Sequence, residues 1–183
     1  TLVIDGRGLH VTPGLIDAHS HTAILGAVNE GTLPSTAMCR ISDVVNSETD
    51  NLYQQLAGGL TVANLLHGSA NPIGGQNCVI KLRNGAAPED LKFADAPPGI
   101  KFALGENVKQ SNWGEKNTTR FPQTRMGVRT CYVNRFTAAT QYLAAWAAFR
   151  RSGDLEPRPG LERYALGALL QRQPTLPRHP HTP

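Results

Sequence analysis

His19 and His21 stand one residue apart at the end of a short apolar run, in the stretch TPGLIDAHSHT (12–22). In an extended chain, side chains two residues apart share a face, so both imidazoles would address one spot. Neutral imidazoles are the commonest nitrogen ligands of divalent metals, and two on one face can chelate a single ion. An isolated pair of this kind is weak, because two histidines can equally be exposed or satisfied in a core. The setting strengthens the metal reading: the pair follows a Pro13-Gly14 break, and Asp17 just before it could orient an imidazole.

Three further features could serve chemistry. Lys101 lies inside GIKFALGEN, a run that otherwise reads as buried, where an ammonium is costly unless it is paired or modified. Glu106, just past the same run, can bind a metal without modification; the bland alternative is a lysine snorkelling to a rim and a glutamate in a loop ion pair. His67 ends the apolar run 60–66 and would face the same rim as a substrate contact. The loop it opens, HGSANPIGGQ (67–76), could present Asn71, Gln76 and backbone N–H groups to a pocket, or could simply be a tight glycine turn. Gly74-Gly75 is followed by Gln76 and not by Lys-Ser/Thr, so it is not a nucleotide phosphate loop.

These residues need elements to position them. Residues 2–4 and 9–11 are short β-prone runs around Asp5-Gly6-Arg7-Gly8, a hairpin signal. Leu15 to His19 reads as a strand. A helix follows from Ser47, with Asp50 three later as a capping box and Gly58-Gly59 as its stop. Strands are expected at 60–66, 78–82 and 100–104, a long loop at 107–133, a helix from an Asn134 cap to Gly153, and an apolar helical stripe at 161–169. Strands alternating with helices argue for an α/β class with a parallel sheet.

Composition narrows the function. The 183 residues are 40% hydrophobic, enough for one domain with a real core. Most of the formal +4 charge comes from arginines after residue 149, so the body offers no basic surface for nucleic acid. The longest apolar run, 142–149, is far short of the roughly 20 residues that span a bilayer. Cys39, Cys78 and Cys131 are odd in number and lack a CxxC pair, so free thiols are expected. No leader-like segment opens the sequence, which leans the reading towards the cytoplasm without fixing a compartment.

TPGLIDAHSHT, GGLTVANLLHGSANPIGGQNCVIKL (58–82) and GIKFALGENVKQ (99–110) occur in order, and together resemble the metal-dependent amidohydrolase superfamily, in particular an imidazolonepropionase-like branch. The resemblance covers about residues 1–150. It implies a (β/α)8 barrel beside a small β-sandwich, with chemistry at the C-terminal ends of the strands. It also implies one or two divalent ions, zinc first among them, held by His19 and His21, with a carbamylated Lys101 or Glu106 bridging. The activity implied is hydrolysis of a non-peptide carbon–nitrogen bond in a small linear or cyclic amide.

A full barrel takes about 250 residues, and only about four barrel strands are legible here. The expectation is therefore a partial barrel: residues 1–12 as a β-sandwich remnant, 13–153 as the N-terminal half of the barrel, and 154–183 as an irregular Pro/Arg-rich tail. The general base would lie outside this sequence, leaving the isolated chain with little turnover. The alternative is an inactive scaffold or partner-binding module derived from the same family. Unpaired strand edges predict self-association in either case.

Overall fold

The computed structural model describes residues 2–110, 113–114, 119–153 and 155–171. Five strands and four α-helices run in the order β1 (Leu15–Ser20), α1 (Asp50–Ala57), β2 (Leu60–Leu65), β3 (Ile73–Gln76), β4 (Cys78–Lys81), α2 (Pro88–Leu91), β5 (Ile100–Phe102), α3 (Arg125–Ser152) and α4 (Leu161–Leu170). β1 and β2 pair in parallel across the α1 crossover, and β4 joins the far side of β2 antiparallel. β3 and β5 form a separate antiparallel pair. The expected α/β class holds, but the parallel pairing is only two strands wide, because β4, reached from β2 through residues 66–77 and β3 of the other sheet, pairs with β2 antiparallel. Among the described residues no barrel closes.

Each sheet has its own core. Under β1, β2 and β4, Leu52 of α1 meets Ala63, Leu65, Ile80 and Leu91. Against β3 and β5, Ile73 packs with Ala139 of α3 and Leu166 of α4, flanked by Phe102, Tyr132 and Phe136. α1 ends as its glycines demand: the Gly58 N–H returns to the Gln54 carbonyl, and Gly59 follows at φ 94°. Its cap, however, is Thr49, whose side chain makes no capping bond, so the Ser47 box does not form.

Other expectations are corrected. Residues 2–13 form no strand; an Asp5–Arg7 ion pair closes a local turn there, and the expected hairpin is absent. The stretch expected as a loop through Gln76 ends in β3. Its glycines serve close approach: a Cβ on Gly74 would lie 2.9 Å from His67 Nδ1, and one on Gly75 would lie 2.7 Å from the Cys39 carbonyl. The long loop is shorter than expected, because Thr124 and not Asn134 caps α3, its hydroxyl accepting from the Gly127 N–H. Val128, Cys131 and Tyr132 then continue the buried stripe of Phe136 and Ala139. α4 forms inside the segment assigned to an irregular tail, while Asp154 and the proline-rich residues from Arg172 lie outside the described residues. All three cysteines are free thiols. No described helix is long and apolar enough to cross a membrane.

Candidate metal centre

The histidine pair sits on an irregularity. Between the pairs Asp17↔Ala63 and Ser20↔Leu65, β1 advances three residues while β2 advances two. The cause is local: the Asp17 carboxylate accepts the His19 backbone N–H at 3.0 Å, diverting it from the ladder. Asp17 thus shapes the strand and does not hold an imidazole, as had been expected of it. The bulge re-aims the side chains at the strand end. The two rings stand 5.1 Å apart between centroids and perpendicular to each other.

Their nitrogens are oriented by different partners. His21 Nδ1 lies 2.9 Å from the Leu66 carbonyl, which can only accept, so Nδ1 carries the proton and Nε2 keeps its lone pair. His19 Nε2 lies 3.1 Å from Nζ of Lys101, carried by β5 on the other sheet. Lys101 is 8% exposed, and no described carboxylate pairs with it. Burial lowers its pKa, favouring the neutral amine. Burial, then the Lys101 and His21 charges, likewise lower the pKa of His19 and favour its neutral, ligating form. Glu106 is engaged elsewhere: its carboxylate meets Arg125 and, at 2.6 Å, Lys109. A cavity of about 480 Å³, an ordinary size for a small-molecule site, brings together His19, Lys101 and Glu106 with Leu66, Phe102 and Leu104 on its walls.

The donor set fits the start of a divalent-metal site. Two imidazoles 5.1 Å apart stand beside a buried amine that lies 3.1 Å from one of them, and a carbamate on Nζ would supply the anionic oxygen that the cluster lacks. Among the described residues, no group of three or more His, Cys, Asp and Glu side chains could hold an ion by itself.

The residues expected to touch substrate do structural work. His67 is 3% exposed; its Nδ1 meets the Gly68 carbonyl at 2.9 Å, while Nε2 accepts the Glu30 N–H at 2.8 Å. Asn71 Nδ2 donates to the Glu30 carbonyl and to Thr36 Oγ1, and its oxygen accepts from Arg120. Gln76 Nε2 donates to the Ala37 carbonyl at 3.0 Å. All three pin the segment 30–37 and stand outside the cavity lining described above. Arg120, which the sequence reading passed over, completes this clamp by donating to the Gly31, Leu33 and Ala70 carbonyls. Ser69 and Asn107 reach the cavity without any distinguishing sequence signal.

A measurable consequence follows for His67. Burial holds its imidazole below the ordinary value of 6.5, so on acidification the unfolded chain takes up this proton first and stability falls. Replacing it, as His67→Gln, is expected to cost about 2–4 kcal/mol at neutral pH through lost backbone partners and packing. Urea unfolding at two pH values should show the loss shrinking as the pH falls below the ordinary imidazole range.

No protein-family model matches the chain. Among curated proteins, Amidohydrolase tasK of Hapsidospora irregularis is 30% identical over an alignment that includes 99% of this chain. Among solved structures, the crystal structure of an amidohydrolase from Thermotoga maritima superposes with a TM-score of 0.76 at 32% identity over 87% of this chain. The chain spans 21% of the length of the first and 43% of the second.

Proposed function

We propose that the chain, similar over most of its length to two amidohydrolases, belongs to the amidohydrolase superfamily and carries the first ligand group of a metal-dependent hydrolase acting on carbon–nitrogen bonds of small, non-peptide linear or cyclic amides. The approach of Lys101 Nζ to His19 Nε2, beside a cavity of substrate size, is the observation that carries this reading. His19 and His21 would bind the ion through Nε2. Lys101 would bridge as its carbamate: the neutral amine adds to the carbon of CO₂, a C–N bond forms as one C=O π bond opens and leaves its electron pair on oxygen, and the nitrogen's proton passes to solvent. Of the two bridging candidates Lys101 is favoured, because Glu106 already neutralises Arg125 and Lys109. A divalent ion, zinc or another, would supply Lewis acidity and an activated water near neutral pH.

The residues of this chain bind and orient. The Leu66 carbonyl holds the His21 tautomer, and Leu66, Phe102 and Leu104 present an apolar wall against which an amide substrate would lose water. Glu106, the carboxylate among the described lining residues, is held by Arg125 and Lys109 and not free to take a proton, so turnover by the isolated chain is expected to be slight.

The test is Co²⁺ titration of the metal-free chain, followed by assay of small linear and cyclic amides. Saturable uptake of one or two ions with slight turnover is expected. Absence of uptake at millimolar Co²⁺ would favour the scaffold reading, and brisk turnover lost in His19→Ala would show the site to be complete.

A further inference from the structure

His19 and Lys101 lie on different sheets, and no ladder pairing joins β1 to β5 among the described residues. A continuous line of amides nevertheless connects the two strands. The Gly99 N–H donates to Asn77 Oδ1 at 2.6 Å, Asn77 Nδ2 donates to Asn64 Oδ1 at 2.8 Å, and Asn64 Nδ2 donates to the Ala18 carbonyl at 3.2 Å. One end is the residue before His19 and the other lies two residues before Lys101. The direction of the line is fixed by its ends, since an N–H can only donate and a carbonyl can only accept, so neither amide can flip without breaking a bond.

Its position is equally specific. Ala18 lies within the bulge, where the β1–β2 ladder is interrupted, and the Asn64 side chain supplies a partner to the carbonyl there. Asn77 is the single residue between β3 and β4, where the chain passes from one sheet to the other, and its own N–H donates to the Gly99 carbonyl at 2.9 Å. Gly99 is thus gripped by both the backbone and the side chain of Asn77.

We infer that Asn64 and Asn77 are positioning residues that set the approach of Lys101 to His19 across the gap between the two sheets. The importance of that approach for metal capture rests on the function proposed above; the positioning itself does not. Neither asparagine is among the cavity-lining residues described earlier, and their hydrogen bonds run to the backbone at Ala18 and Gly99, beside β1 and β5 positions of the site.

The direct readout is a nuclear Overhauser cross-peak between the Lys101 ε-methylene and the His19 ring in the metal-free chain, labelled at lysine and histidine. It should be present in the parent and in Leu166→Ala, a control that loosens the core beneath β3 and β5 at a fully buried α4 position while leaving every amide of the line in place. It should be lost in Asn77→Asp and in Asn64→Asp, each of which keeps the side-chain shape and removes one donor. Survival of the cross-peak in a folded Asp variant overturns the inference, and so does failure of both variants to fold, which would make the amides supports of the whole fold.

Co²⁺ titration separates this inference from the reading beneath it. Affinity should fall at least about tenfold in the Asp variants and hold in Leu166→Ala. A parent that takes up no Co²⁺, yet loses the cross-peak on substitution, upholds the positioning and overturns the hydrolase reading.

Discussion

Alanine at both His19 and His21 will strip the chain of divalent metal. After dialysis against trace zinc, elemental analysis should find metal near stoichiometric in the parent and absent from the double variant. The affinity loss should exceed about a hundredfold, the upper end of what removing a mere outer-shell partner costs. Folding should survive the change, since both side chains are solvent-exposed and no core cluster includes them. Circular dichroism of the metal-free proteins should therefore coincide. Metal retained in the double variant would place the ion elsewhere and dissolve the proposed centre.

Methionine at Lys101 should separate the bridging group from the fold. The side chain keeps its length and apolar stem, so packing within β5 is preserved while the amine is lost. Uptake of metal by the parent is expected to rise when bicarbonate is added, because the carbamate needs CO₂. Lys101→Met should remove that response and weaken binding by about a hundredfold or more, on the scale of losing a ligand and not an outer partner. Its thermal midpoint without metal should match or exceed that of the parent, because a buried polar amine without a counter-charge is gone. Glu106→Gln is the matched comparison: with Lys101 as the bridge, it should leave the bicarbonate response intact.

What could be read from the sequence follows from how local each signal is. The His19–His21 pair needs only strand alternation, a two-residue property, and the rings do come together. Lys101 was visible as a charge in an apolar run, and β5 buries it. The setting of His67 at a strand end suggests a rim, whereas its ring meets the carbonyl of the next residue, Gly68, and the N–H of Glu30, which lies 37 residues away and which no local pattern announces. Gly74 and Gly75 read as a turn by composition; they form a strand because neighbouring chain leaves no room for a Cβ. Asn134 was a plausible cap, but Thr124 captured the helix start where Val128 and Cys131 could extend the buried face. The passage from one sheet to the other at Asn77 carried no periodic signature at all.

The extra residue of β1 has a bearing on length changes as distinct from substitutions. Deleting Ala18 would let three residues of β1 match three of β2 beyond Asp17, removing that irregularity and leaving the opposite shift between Leu15 and Ile16 in place. The same deletion would shift His19 and His21 relative to Leu66, so that the carbonyl holding the His21 proton would face a different side chain. Sheet regularity and site geometry thus make opposite demands on the same position. If the proposed ion is absent, nothing described at the site opposes the loss of one codon there.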